Sequence, residues 1–175
     1  MKKNVIFLDI DGVLNSEDST DKIGSIKGIS DKYIKILKDI VDIFDADLIL
    51  TSSWKVYWDR ELIKDGIDNW RGSSKKRYGR YINLKLKKFG LYITDKTENY
   101  HWSKRAIEIL SYLSSHPEIE NYIILDDEDF SWKHFNLDSH WIDTSNEDLV
   151  WNLRNDGLKE EHIEYIKNNL EKFKR

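Results

Sequence analysis

The sequence predicts an α/β fold in which a mostly parallel sheet is flanked by helices. Short apolar runs alternate along the chain with amphipathic stretches, a pattern typical of strands and helices in turn. The run Val5–Leu8 is apolar without interruption, as is usual for a parallel strand buried on both faces. Polar residues follow several of these runs, and in open α/β sheets functional side chains lie just past the carboxyl ends of the strands.

The individual elements follow from the spacing of the apolar residues. Strands are predicted at short apolar runs: Val5–Leu8, Asp47–Thr51, Tyr122–Leu125 and, more briefly, Trp141–Ile142. Helices are predicted where apolar residues recur every three or four positions: Ser30–Phe44, Ile82–Phe89, Ser103–Ser114, and a helix between Gly157 and the C-terminus. Ser30 is the expected N-cap of the first helix, and Gly90 is the expected stop of the second.

Length, charge and composition exclude several classes of protein. A chain of 175 residues suits one domain with a full core, so residues 1–175 are expected to form a single domain. A net charge of −4 argues against a chain that binds polyanions over its whole surface, and the absence of cysteine excludes disulfides and thiolate sites. The first apolar run ends at Asp9, too early for a signal peptide, and no other run approaches a membrane span. A cytoplasmic location is therefore expected.

The segment Asp9-Ile10-Asp11-Gly12 directly follows the first predicted strand. In an extended segment both aspartates lie on one side, and a glycine lets the backbone turn sharply and approach a ligand closely. A simple turn needs only one aspartate, so the pair favours a functional site. A calcium-binding loop does not fit, because the glycine comes one place too early and a strand precedes it.

A second acidic pair, Asp126-Asp127, follows the buried run Tyr122–Leu125. Two like charges about 4 Å apart repel by roughly 4 kcal/mol at an effective dielectric constant near 20, so carboxylates that converge on one sheet edge imply a cation. Ligation by oxygen alone favours magnesium over zinc. Taken alone, the pair is equally compatible with a solvated loop, because Glu128 and Asp129 extend the acidic run.

Two weaker signals lie between these pairs. Thr51 ends the second strand and offers a hydroxyl and a backbone N–H to a phosphate oxygen. Lys104 opens the third predicted helix and offers a positive charge, and Arg105 next to it could take the same role. Each alone has an ordinary explanation, a cap for Thr51 and a surface lysine for Lys104.

In this order the four groups resemble the four motifs of the haloacid dehalogenase (HAD) superfamily, between Asp9 and Asp129. Response-regulator receivers and Toprim domains order their acidic and hydroxyl groups differently. Short segments are also similar to the HAD domain found in Swiss Army Knife RNA-repair proteins: Ile49–Trp54, Phe89–Leu91, Ile93-Thr94, Ile124–Asp127 and Asp156–Leu158. The resemblance implies a Rossmann-like HAD core. Asp11 points to a phosphatase or phosphotransferase, because dehalogenase-like members lack an acid there and P-type ATPases carry a threonine.

By this resemblance, Asp9 would attack phosphorus and form an aspartyl-phosphate. Asp11 would protonate the leaving oxygen and then deprotonate the hydrolytic water. Mg²⁺ would be held by the Asp9 carboxylate, the Asp11 backbone carbonyl and Asp127.

The remaining motif residues would contact the phosphoryl group. Thr51 and Lys104 would bind it, with Arg105 as the alternative to the lysine, and Asp126 would orient that basic residue or a water at the metal. Gly12 and Ser52 are assigned to substrate binding. Three aromatic residues after Thr51 could line the mouth of the site, but packing is the preferred interpretation: Trp54, Tyr57 and Trp58.

The segment from Asn69 to Thr94 has no acidic residue in a net-acidic chain. It carries eight basic residues: Arg71, Lys75, Lys76, Arg77, Arg80, Lys85, Lys87 and Lys88. Aromatic residues stand among them: Trp70, Tyr78, Tyr81 and Phe89. Basic groups can neutralise backbone phosphates while rings stack on bases, so Arg71, Arg77 and Arg80 are candidate substrate-binding residues. A solvated helix face is preferred for the three later lysines, and a mobile binding loop competes with it for Arg71–Tyr81.

The sequence leaves room for only a small cap, an insert around residues 66–94. An open site suits a bulky phosphorylated end, such as an RNA 3′-phosphate or 2′,3′-cyclic terminus, with RNA-repair proteins as partners. Two alternatives are a small-molecule phosphatase acting on nucleotides or sugar phosphates, and a non-catalytic RNA-binding module on the same fold. Neither the substrate nor the oligomeric state follows from the sequence.

Overall fold

A parallel sheet forms the centre of the protein in a computed structural model that describes residues 2–60, 74–100, 104–146, 154–155 and 157–175. The strands of the described part are β1 (Asn4–Leu8), β2 (Lys22–Ile23), β3 (Ile26–Lys27), β4 (Asp47–Leu50), β5 (Ile93–Lys96), β6 (Asn121–Asp126), β7 (Trp141–Asp143), β8 (Ser145–Asn146) and β9 (Arg154–Asn155). Five of them form the sheet, in the order β5-β4-β1-β6-β7, and every neighbouring pair is parallel. The other four form two short antiparallel pairs, β2 with β3 and β8 with β9.

Helices connect and cover these strands. The α-helices of the described residues are α1 (Asp31–Phe44), α2 (Ser74–Lys87), α3 (Arg105–Ser115) and α4 (Glu160–Asn168). Short 3-10 turns lie at Ser53–Val56, Trp132–Phe135, Asp138–His140 and Leu170–Phe173. The predicted α/β fold is confirmed, since all four predicted strands lie in the parallel sheet. Among the described residues, no helix combines the length and the apolar character needed to cross a membrane.

Alternate residues of β1 face two separate hydrophobic cores. Ile6 and Leu8 pack with residues of α1, α2 and α4 on one face of the sheet. Val5 and Phe7 pack with α3 on the other face. All four side chains have no exposed surface, which explains why this strand reads as a continuous apolar run.

The strand β5 was not predicted, because only Ile93 of its four residues is a buried apolar residue. It lies at the edge of the sheet beside β4, where one side of a strand faces no neighbour and polar residues are tolerated. Because β5 joins the sheet, Thr97, the residue after its last position, lies towards the same sheet edge as Thr51.

The helix α2 begins earlier than predicted. Residues 74–81 are helical, so the mobile-loop interpretation of this part of the basic segment is wrong. Ile82 and Leu86 are buried in the larger core, which ties the helix to the body of the protein.

The prediction that Lys85 lies on a solvated helix face is wrong. This lysine is 8% exposed, and its Nζ lies 2.6 Å from Asp31 Oδ1 and 3.2 Å from Asp21 Oδ1. Both partners lie more than fifty residues away in sequence, so local spacing could not indicate them. Lys87 and Lys88 are exposed, as expected.

Candidate active site

The carboxyl ends of β1, β4 and β6 bring the predicted motif residues together. Leu8 at the end of β1 is in register with Leu50 of β4 and with Leu125 of β6. The backbone then continues the pairing for one residue, since the Thr51 N–H donates to the Leu8 carbonyl at 2.9 Å and the Asp9 N–H donates to the Leu125 carbonyl at 3.0 Å. Asp9 and Thr51, the first residues beyond β1 and β4, therefore share one sheet edge with Asp126, the last residue of β6.

Three carboxylates converge at this edge. One oxygen each from Asp9, Asp126 and Asp127 lie within 4.8 Å of one another. Asp9 is 4% exposed and Asp126 is fully buried. Burial, and then the charge of Asp9, raise the pKa of Asp126 well above its ordinary value and raise the pKa of Asp127 to about 7.

The donor set fits a hard divalent cation. Asp9 Oδ1 is buried and has no hydrogen-bond partner among the described residues, which is costly for a carboxylate oxygen unless a cation or a substrate meets it. Carboxylate oxygens are the ligands that Mg²⁺ prefers. Within the described part of the chain, the side chains of Asp9, Asp126 and Asp127 could hold it.

Metal binding at this cluster is expected to depend on pH. An unfolded aspartate loses its proton near pH 4, whereas the folded, metal-free protein keeps the Asp127 proton until about pH 7. The folded state therefore loses stability relative to the unfolded state as the pH rises between these values, and Asp126 acts in the same direction. A divalent cation binds the ionised carboxylates of the cluster and so offsets this loss of stability. The Mg²⁺-induced rise in Tm should therefore be larger above pH 7 than below it. Thermal unfolding with Mg²⁺ or EDTA across this range measures the effect, and a rise independent of pH would contradict it.

Arg105, rather than Lys104, reaches the carboxylates. The Arg105 Nη1 lies 3.0 Å from Asp9 Oδ2 and also forms an ion pair with Asp126 Oδ2. Burial alone would lower the pKa of Arg105, but the two aspartates outweigh burial and raise it. The guanidinium lies over the Phe130 ring, 4.3 Å from its centroid. Lys104 is exposed at the N-cap position of α3.

Asp11 is separate from the acidic cluster and is held by two donors. The Trp54 indole Nε1–H donates to Asp11 Oδ2 at 2.8 Å, and the Asn15 side-chain amide donates to Asp11 Oδ1 at 2.9 Å. The Asn15 side-chain oxygen in turn accepts from the Gly12 N–H at 3.0 Å. The Asp11 side chain is not one of the three clustered carboxylates, so its predicted metal contact would have to come from its backbone carbonyl. Asn15 was not predicted as a site residue, and for Trp54 packing was preferred over a place at the mouth of the site.

Gly12 is required by a close contact with Asp127. Its φ is +70°, and a Cβ at this position would lie 2.2 Å from Asp127 Cγ. The Thr144 hydroxyl donates to the Gly12 carbonyl at 2.8 Å and holds the turn in place. The close approach expected at this glycine is therefore made to a carboxylate of the acidic cluster.

Replacement of Gly12 by alanine is expected to displace Asp127 and to abolish the stabilisation by metal. Gly24→Ala is a matched control, because Gly24 has a φ of +65° and a Cβ added there would meet no atom within 4 Å. Gly24→Ala therefore adds only backbone strain, about 1–2 kcal/mol for a non-glycine residue at a positive φ. Thermal unfolding with and without Mg²⁺ compares the two variants, and a normal response to metal in Gly12→Ala would show that this contact is dispensable.

The two hydroxyl residues after β4 have different environments. Thr51 is 1% exposed, and its Oγ1 has no hydrogen-bond partner among the described residues, so it can meet a phosphoryl oxygen. Ser52 is fully buried, and its Oγ accepts from the Trp54 backbone N–H at 3.3 Å. The Ser52 side chain therefore caps the 3-10 turn that carries Trp54.

A buried ion pair that the sequence did not reveal lies beside this turn. Lys55 and Glu108 are 4% and 2% exposed and form an ion pair, and Lys55 Nζ also donates to Thr97 Oγ1 at 3.1 Å. Burial lowers the pKa of Lys55, and the pairing with Glu108 opposes that shift. Glu108 follows Arg105 by one helical turn, so the pair holds the start of α3 against the loop after Thr51.

The predicted substrate-binding arginines are only partly described. Arg71 lies outside the described residues, Arg77 is exposed and Arg80 is half-buried on α2. Tyr78 connects their helix to the site, because its ring meets Trp54 edge-on at 5.8 Å and lies 4.9 Å from the Tyr57 ring. Tyr78 therefore links α2 to Asp11 through Trp54, whose indole N–H donates to the Asp11 carboxylate.

Comparison with protein families identifies a relationship that covers most of the chain. A family model described as the HAD domain in Swiss Army Knife RNA repair proteins matches residues 5–149. This range extends from β1 to beyond β8 and contains all the residues of the acidic cluster. No curated protein and no solved structure matches the chain.

Proposed function

Because the chain belongs to the family of HAD domains in Swiss Army Knife RNA repair proteins, we propose that it is a Mg²⁺-dependent phosphohydrolase that acts on phosphorylated nucleic-acid ends. The observation that carries this proposal is the environment of Asp9. One oxygen of this buried carboxylate is held by Arg105, and the other has no partner among the described residues.

Such an environment suits a nucleophile. The Arg105 contact fixes the carboxylate in orientation and leaves Oδ1 to attack phosphorus, with the Thr51 hydroxyl available to a phosphoryl oxygen. Arg105 also offsets the repulsion between an anionic nucleophile and an anionic substrate. Mg²⁺, held by Asp9, Asp126 and Asp127, would neutralise charge on the phosphoryl oxygens when bound.

The reaction balances with two aspartates. A bond forms between Asp9 Oδ1 and phosphorus while the bond from phosphorus to the leaving oxygen breaks, and Asp11 gives that oxygen a proton. Asp11 then takes a proton from a water that attacks the aspartyl-phosphate, which releases phosphate and restores Asp9. A carboxylate has about four acceptor sites, so the two donors on Asp11 leave sites open for this exchange.

The substrate proposal rests on the surface next to Asp11, from which the leaving group would depart. The Tyr57 and Tyr78 rings are half-buried and pack against each other there, and Arg77, which precedes Tyr78 in α2, is exposed. Aromatic rings stack on bases and arginine neutralises phosphates, so this surface suits a nucleotide as the leaving group. It supports a phosphorylated RNA end as substrate over a sugar phosphate.

The proposal is tested by phosphate release from a 3′-phosphorylated RNA oligonucleotide and from an aryl phosphate, each with Mg²⁺ or EDTA. We expect Mg²⁺-dependent release from both substrates and a higher kcat/KM for the RNA end. If neither substrate is turned over with metal present, the protein is not this phosphatase, and RNA affinity then tests the non-catalytic alternative. Equal kcat/KM values for free nucleotides and oligonucleotide ends would overturn the proposed substrate class alone.

Charge reversal on α2 distinguishes a nucleic-acid substrate from a small-molecule substrate. Arg77→Glu is expected to lower kcat/KM for the RNA oligonucleotide and to leave the aryl phosphate unaffected. Lys87→Glu is the matched control, since Lys87 is also exposed but lies ten residues further along the helix, about 15 Å away. Identical effects of the two reversals on RNA would contradict a specific role for the start of α2.

A further inference from the structure

We propose that Trp54 is a positioning residue that holds the Asp11 carboxylate, through its indole N–H, where it can exchange a proton with the leaving oxygen. This inference rests on the proposed function and assigns a residue through which Asp11 acts. It contradicts the interpretation of Trp54 as a packing residue only, which the sequence favoured.

In this hydrogen bond, a buried tryptophan with little freedom to move donates to the carboxylate of an exposed aspartate. Asp11 is an exposed residue, whereas Trp54 is 5% exposed. The distance from Trp54 Nε1 to Asp11 Oδ2 is 2.8 Å, within the range of a strong hydrogen bond to a carboxylate. An exposed aspartate without such a donor samples several rotamers, so this hydrogen bond selects one of them.

Trp54 is itself held on three sides. Its backbone N–H is bound by the Ser52 hydroxyl at 3.3 Å, its ring belongs to the larger hydrophobic core, and Tyr78 meets that ring edge-on at 5.8 Å. The indole N–H therefore points at Asp11 without the freedom of a surface side chain. Packing alone would need the ring but not its N–H.

Trp58 provides a matched comparison within the same loop. It is 2% exposed, and its indole N–H also donates to a side-chain oxygen, Asn83 Oδ1, at 2.9 Å. The two tryptophans share burial, chemistry and one hydrogen bond each, but only Trp54 contacts Asp11. Replacement of either by phenylalanine removes one N–H and keeps an aromatic ring.

The experiment uses two aryl phosphates that differ in their need for an acid. Phenolate is a poor leaving group without a proton, whereas dinitrophenolate departs without one. General acid catalysis contributes about 10²- to 10⁴-fold, so Trp54→Phe should lower kcat/KM for phenyl phosphate by about 10- to 100-fold. The same variant should keep kcat/KM for dinitrophenyl phosphate within about threefold, and Trp58→Phe should affect both substrates equally and slightly.

A double-mutant cycle with Asp11→Asn completes the test. If Trp54 acts through Asp11, Trp54→Phe should have no further effect on phenyl phosphate once Asp11 is replaced. Equal slowing of both substrates by Trp54→Phe, or an undiminished effect in the Asp11→Asn protein, would overturn the positioning role. If the wild-type protein hydrolyses neither substrate with Mg²⁺, the proposed function fails and the positioning role fails with it. If the wild type is active and only the variants depart from expectation, the positioning role fails alone, so the two failures are distinguishable.

A second variant keeps the inference testable if Trp54→Phe does not fold. Asn15→Ala removes the donor on the other oxygen of Asp11, which lies 2.9 Å from the Asn15 amide nitrogen. It should show the same selective loss on phenyl phosphate. An equal loss on both substrates would show that the donors around Asp11 serve only the fold.

Discussion

Replacement of Asp9 by asparagine is expected to lower phosphate release by on the order of 10⁴-fold or more. An amide oxygen is a far weaker nucleophile than a carboxylate, and the variant cannot form the aspartyl-phosphate. The variant also removes one of the three carboxylates that could hold a cation. Phosphate release with Mg²⁺ under single-turnover and steady-state conditions measures the loss.

The Asp9→Asn protein should fold at least as well as the wild type without metal. The charge of Asp9 is the second cause, after burial, of the raised pKa values of Asp126 and Asp127, so its removal relieves repulsion in the folded state. Asp39→Asn, on the exposed side of α1, is the control for loss of a carboxylate elsewhere. A kcat of Asp9→Asn within about tenfold of the wild type, about 1.4 kcal/mol, would exclude Asp9 as the nucleophile.

Arg105→Gln is expected to lower kcat by about 10²- to 10³-fold, the usual loss when one group that stabilises the transition state is removed. Arg105 is the cation that meets both Asp9 and Asp126, and without it the two buried carboxylates face each other. The unfolding temperature without metal should fall as well, because an ion-paired buried charge loses its partner.

Lys104→Gln is the matched control for this prediction, because it makes the same substitution one position earlier. Lys104 is exposed, and surface substitutions change free energies by about 0.5 kcal/mol or less, so its kcat should stay within about twofold. Steady-state kinetics of both variants with Mg²⁺ decide between the two basic residues. The opposite result, a large loss for Lys104→Gln and a small one for Arg105→Gln, would assign the phosphoryl contact to the lysine.

Much of the sheet could be predicted because its strands are short, continuous apolar runs. Val5–Leu8 and Tyr122–Leu125 are buried on both faces, so their sequences carry no competing polar pattern. β5 escaped prediction because an edge strand with one buried apolar residue resembles a loop. The start of α2 escaped because a run of basic and aromatic residues fits both a loop and a helix.

The positions of the acidic groups could also be predicted from the chain order. Asp9 and Thr51 directly follow β1 and β4, Asp126 is the last residue of β6, and parallel strands end at a common edge. The choice between Lys104 and Arg105 could not be made, because both stand at the start of the same helix. Only the orientation of α3 on the sheet decides which side chain reaches the carboxylates.

The sequence by itself determined the α/β class, the strands that end in polar residues and the family to which the chain belongs. These properties depend on residues close together in the chain, where spacing and burial leave a visible pattern. The tertiary structure alone decided which groups support the site. Trp54 and Asp11 are 43 residues apart, and Lys55 and Glu108 are 53 apart. Such contacts arise only when separate elements pack together, so no local pattern records them.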